Sequence, residues 1–189
     1  MFADVLPVGG HHITRDLAHG LSTSEADAER LKILHGSALA SGLEDLDFLD
    51  VPLIGEAEKQ NTSHIPRSYL SRIIQPRIEE IFEMVRSRLE ETGYNKSAGR
   101  LVVLTGGGSQ LPVIRDAAGV LLDKKVRLGK PAPLPGLADT YLEAPFSTAA
   151  GMLLHGLEPV AWAVSKDRPL ATPGGNGLQK AMWWLKENF

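Results

Sequence analysis

The stretch Leu101-Val102-Val103-Leu104-Thr105-Gly106-Gly107-Gly108-Ser109-Gln110-Leu111-Pro112 decides how this chain is read. Its four leading apolar residues suit a buried parallel strand. The triple glycine lets the backbone turn sharply and approach a ligand closely. Leu111 to Leu122 then has helical periodicity, and Val126 to Leu128 reads as another short strand. Strand, glycine turn, helix, strand marks an α/β domain, and open α/β sheets bind ligands at the carboxyl ends of their strands. The run is neither a P-loop nor a G-x-G-x-x-G fingerprint, because no Gly-Lys-Ser follows and the spacing differs. On spacing alone, nucleotide contact and a tight strand-to-helix turn stand as equal readings.

Upstream, Met1 to Gly10 reads as a strand entering a glycine turn, with no obvious mate nearby. Ile13, Leu17, Ala18 and Leu21 follow at helical spacing. Ser24 and Asp27 resemble a capping box for a helix from about Glu25 to His35, with Gly36 as a left-handed cap. Glu29 and Lys32 lie one turn apart on that helix, and by themselves read as a solvated ion pair. Leu43 to Gly55 predicts one or two strands, with Asp45, Asp47 and Asp50 alternating against Leu46, Phe48 and Val51. Residues 56–64 read as a polar loop. A helical stretch runs from Pro66 to about Thr92, with Leu70, Ile74, Ile78, Ile81, Phe82, Val85 and Leu89 on one face. Pro66 suits its first turn, and Pro76 is expected to kink or divide it.

Downstream, Pro131, Pro133 and Pro135 mark a surface loop, and Pro145 opens a helix stopped at Gly156. Residues 158–177 read as a flexible linker rich in Pro and Gly. Leu178, Ala181, Met182, Leu185 and Phe189 then share one face of a terminal helix broadened by Trp183 and Trp184. Twelve residues are marginal as an isolated helix. Tryptophan and lysine on an amphipathic helix point to the membrane interface, and a helix docked on its own domain is the alternative.

The chain has 189 residues, with 20 Lys plus Arg against 23 Asp plus Glu, a net charge of -3. That balance argues against a broad basic surface for nucleic acid. Cysteine is absent, which excludes disulfides, thiolate metal sites and cysteine catalysis. The six histidines are scattered, and His11 and His12 are adjacent rather than spaced as a helical zinc pair. No apolar run reaches the roughly 20 residues needed to span a bilayer, and Met1 to Gly10 lacks the pattern of a signal peptide.

Together these pieces resemble FtsA, the actin-like bacterial cell-division family. The matching stretches are Val8 to Leu21, Ala28 to Gly36, Ile74 to Phe82, Val103 to Pro112 and Phe146 to Gly156, with Trp184 to Phe189 resembling the family's membrane-targeting helix. The resemblance implies an α/β, partial actin-like fold corresponding to the C-terminal portion of the family. Residues 1–22 and 93–157 would form part of a large subdomain, and 23–92 a small α+β insert. The linker, 158–177, and the amphipathic helix, 178–189, would follow.

It further implies that Gly106, Gly107, Gly108 and Gln110 touch the adenosine of a nucleotide, with Glu29 and Lys32 packing from the other side. ATP with magnesium would belong to the complete protein. The phosphate and magnesium loops of the family have no match in this chain, so weak or no ATP binding is expected from it alone, and no catalysis beyond a weak ATPase in the complete protein. Implied partners are the C-terminal tail of FtsZ, further copies of the protein, inner-membrane lipids and later division proteins. Arg67, Arg72 and Arg77 are candidates for the tail or for self-association. Leu178, Met182, Trp183, Trp184, Leu185 and Phe189 are candidates for membrane contact, at the cytoplasmic face of the septum. A kinase-like enzyme or a pilus-type adaptor of the same superfamily is the alternative.

Overall fold

The computed structural model describes residues 3–40, 46–54, 62–97 and 99–157. Residues 3–9 carry no regular element, contrary to the strand expected there. No described strand lies alongside them, and a strand without a hydrogen-bonding mate does not persist. Helix α1 (Gly10–Leu21) follows, burying Ile13, Thr14, Leu17 and Leu21. Helix α2 (Glu25–His35) begins at Ser24, whose side chain accepts from the Asp27 amide. Gly36 caps it in extended rather than left-handed backbone. Glycine is required there for room instead, since a Cβ would lie 2.4 Å from the Lys32 carbonyl oxygen and 3.0 Å from Ile74 Cδ1.

Strands β1 (Phe48–Pro52) and β2 (Thr62–Pro66) form an antiparallel hairpin with Val51 opposite Ser63. Thr62 to His64 therefore belong to a strand, not to the expected loop. The inward residues are Leu49 and Val51. Phe48, grouped with Val51 in the expected alternation, lies instead on the outward face and stacks on His64 with ring centroids 4.9 Å apart. The hairpin docks on the α1–α2 junction through Thr23 Oγ1, which donates to the Pro52 carbonyl at 2.6 Å, and the Ile54 amide, which donates to Ser22.

Helix α3 (Ser68–Glu91) is one continuous element of 24 residues. Pro66 ends β2 rather than opening the helix. Pro76 lies inside α3 without dividing it. It sits on the exposed face, where water can satisfy the carbonyl that a proline leaves without its i→i−4 partner. Leu70, Ile74, Ile78 and Phe82 are its buried stripe. The short helix α4 (Tyr94–Ser97) follows Gly93, whose φ of +72° fits a helix stop.

Strands β3 (Leu101–Leu104) and β4 (Lys125–Leu128) pair in parallel, Val102 opposite Val126. They flank α5 (Ile114–Leu122). The pair is covered on one face only: Val102, Leu104 and Val126 pack on the core, whereas Leu101 and Val103 are exposed. The expectation of a fully buried strand is thus half met. A 3-10 turn, Gly107–Gln110, follows β3, and α5 begins at Ile114, three residues after the start expected at Leu111. Another 3-10 turn, Ala144–Phe146, contains Pro145 and precedes α6 (Ser147–Leu157), which runs past Gly156.

One apolar cluster joins α1, α2, α3, α5 and β1, so residues assigned above to the large and small subdomains share a single core. Arg77 of α3 reinforces it at the edge, donating to both carboxylate oxygens of Asp16 on α1 at 2.5 and 3.0 Å. The linker 158–177 and the helix 178–189 lie outside the described residues.

Candidate functional site

Three elements meet around a cleft of about 640 Å³, a volume suited to a small ligand. The N-terminus of α1 contributes Gly10, His11 and Ile13. Helix α2 contributes Glu29, Lys32 and Ile33. The turn after β3 contributes Gly107, Gly108, Gln110, Leu111 and Pro112, and Pro145 closes one side. Five of the six residues singled out for adenosine therefore line one cavity. Gly106, next to Gly107 in the chain, does not line it.

Local chemistry fixes the glycine turn. Gly106 has φ +91°, a conformation that disfavours any side chain. Its amide donates to the Ala144 carbonyl, and its own carbonyl accepts from both the amide and the hydroxyl of Ser109. Gly107 and Gly108 differ from it. Neither has positive φ, and a Cβ on either would meet nothing within 4 Å. Neither backbone strain nor packing explains them. Their bare backbone fronts open cleft, which is the form a flat ligand needs for close approach.

On the opposite wall, Lys32 donates to the Gly10 carbonyl at 3.2 Å, to Thr14 Oγ1 at 2.8 Å and to Glu29 Oε2 at 2.5 Å. Thr14 Oγ1 also donates to Glu29 Oε2. The Lys32 side chain is only 14% exposed and that of Glu29 44%, so the solvated-pair reading of this i,i+3 couple gives way to a strut between two helices. Burial acts to raise the Glu29 pKa. Hydrogen bonds from Lys32 and Thr14, with the Lys32 charge, outweigh it and hold the carboxylate below its ordinary range.

The three arginines do not converge. Residues five apart on a helix are turned by about 140° from each other, so Arg67, Arg72 and Arg77 fan round α3. Arg67 Nε donates to the His35 carbonyl at the end of α2, and Arg77 is held by Asp16 and Glu80. Arg72 is exposed. The membrane candidates Leu178, Met182, Trp183, Trp184, Leu185 and Phe189 lie outside the described residues. No described helix is long and apolar enough to cross a membrane.

Sequence reading missed Gly10, Ile13, Thr14, Ile33 and Pro145. Thr14 and Ile13 sit on the same α1 face as Leu17 and Leu21, where periodicity marks burial but not contact with a cleft. Gly10 and the exposed Ile33 had a signal, a glycine at a helix start and an apolar residue on a polar face, though neither is specific.

The family model described as Cell division protein FtsA matches residues 1–151. The chain belongs to the FtsA family. It is 41% identical to the cell division protein FtsA of Rhizobium meliloti (strain 1021), over 99% of this chain and 43% of that protein. It is 39% identical to FtsA of Agrobacterium fabrum over 98% of the chain and 43% of that protein, and 28% identical to FtsA of Escherichia coli K12 over 98% and 45%. The chain thus spans less than half the length of these FtsA relatives. Every cleft residue falls within the region matched by the FtsA family model. The segment 158–189 lies beyond that match.

Proposed function

We propose that this chain is the portion of an FtsA-type cell-division protein that supplies the adenosine wall of a nucleotide cleft and a membrane anchor. The single observation that carries the reading is the convergence of Glu29, Lys32, Gly107, Gly108 and Gln110 on one cleft in a chain of this family. The residues fit the group. Glycine backbone leaves room for a planar base, Ile33 and Pro145 offer apolar contact, and Glu29 and Gln110 offer polar orientation. When bound, the nucleotide would tune assembly rather than serve as a substrate, and the chain is not itself an enzyme. Without charge-assisted phosphate contacts, its own affinity for ATP is expected to be weak, with Kd on the order of 1 mM.

The fold in this reading is a partial actin-like one, with residues 23–92 as its small insert subdomain. Its role is to tether FtsZ filaments to the inner face of the cytoplasmic membrane at the septum, self-associate and recruit later division proteins. Among the arginine candidates, Arg72 is the one whose exposure favours partner contact.

The cleft is tested by calorimetric titration of the whole chain with adenosine and with ATP, beside Gly108→Val. Weak binding abolished by the substitution, with stability little changed, supports the cleft. Binding unaltered by Gly108→Val refutes it. The anchor is tested by emission of Trp162, Trp183 and Trp184 with anionic liposomes and by co-sedimentation. A blue shift with pelleting, both lost on deleting 178–189, is expected. Pelleting that survives the deletion would refute an anchor there.

A further inference from the structure

We infer that Thr14 is a positioning residue of this cleft, holding Lys32 and Glu29 in register so that, of the two, Glu29 and not Lys32 presents a hydrogen-bonding group to the ligand. The inference rests on the reading of the cleft as a nucleotide site.

An ammonium carries three protons. Lys32 sends them to Gly10, Thr14 and Glu29, acceptors that all belong to this chain. It has none to spare for a ligand, and works as a strut between the start of α1 and the middle of α2. Thr14 closes the triangle. Its hydroxyl accepts from Lys32 and donates to Glu29, and the residue is only 2% exposed. The Gly10 carbonyl is a second, longer acceptor for this hydroxyl at 3.3 Å, and with the cation on one side its single proton goes to the nearer, charged Glu29 carboxylate. The β-branched Thr14 also has few rotamers within a helix, so the triangle has little freedom to drift. Glu29 is the exposed member and lines the cleft. The titratable groups facing its carboxylate are Lys32 on its own helix and His11 across on α1, His11 itself lying 3.9 Å from Glu25.

The test compares the whole wild-type chain with Thr14→Val, which exchanges the hydroxyl for a methyl, and with Thr14→Ser, which keeps it. Carbon-13 NMR follows the Glu29 carboxyl through acid titration, and calorimetry follows adenosine. Thr14→Val is expected to move the Glu29 titration upward and to weaken adenosine by about tenfold, the loss of one charge-assisted hydrogen bond. Thr14→Ser should restore both. An unmoved Glu29 titration in Thr14→Val overturns the proposal. So does wild-type adenosine affinity in a variant whose Glu29 titration has moved. If wild-type chain binds no adenosine, the nucleotide reading falls, while the Glu29 titration still decides the role of Thr14 as organiser. Should Thr14→Val fail to fold, Thr14→Ser against Thr14→Ala makes the same comparison, since both lack the methyl and only one keeps the hydroxyl.

Discussion

Replacing Lys32 with methionine removes the charge and keeps most of the stem. In the folded chain this removes the protons that the ammonium gives to Gly10, Thr14 and Glu29, leaving the Thr14 hydroxyl as the remaining side-chain donor to Glu29. Each net hydrogen bond is worth about 1 kcal/mol, and more when charged. Glu29 is 44% exposed, so water recovers much of its share, and the methionine stem still packs. A net loss of about 2 kcal/mol remains. In urea, with a slope of about 2 kcal/mol/M, the midpoint should fall by about 1 M. The effect must also depend on pH. The folded pKa of Glu29 is lowered from 4.5, so its contribution is complete above pH 4.5 and is lost as pH falls through the lower, folded value. The gap between wild type and Lys32→Met should therefore narrow below pH 4.5. A loss under about 0.5 kcal/mol, the size of an ordinary exposed helix pair, or a gap constant with pH, would refute the strut.

Three further outcomes follow from the packing. Gly36→Ala puts a Cβ against the Lys32 carbonyl and Ile74, and should cost about 2–3 kcal/mol by urea denaturation. Val113 has φ +63° with a β-branched side chain, so Val113→Gly should release strain and raise stability by about 1 kcal/mol in the same assay, against the usual effect of glycine. A double-mutant cycle on Asp16 and Arg77, whose bidentate pair is about 30% exposed on each side, should return a coupling of about 1 kcal/mol that shrinks in high salt.

Helices α1 and α3 were legible because each carries its own periodic stripe, such as Leu70, Ile74, Ile78 and Phe82, and α2 because Ser24 and Asp27 mark its start. The glycine turn was legible because a triple glycine after an apolar run has few other uses. Strand β2 was not, since Thr62-Ser63-His64 is a polar stretch that becomes a strand only by pairing with β1. Pro76 misled for a related reason. A proline's cost depends on whether the freed carbonyl faces water, which is a property of the packed helix.

The sequence by itself therefore determined the order of most elements, the helix faces that would be buried and, through resemblance, the family and most of the residues singled out that line the cleft. Only the tertiary structure decided that Glu29 and Lys32 form a nearly closed triangle with Thr14, that Gly107 and Gly108 front open space, and that Phe48 points outward. Periodicity and turn chemistry act over a few neighbours in the chain. The meeting of residues 10, 29 and 108 depends on how α1 and α2 pack, and that is set by a core drawn from elements more than 60 residues apart in the sequence.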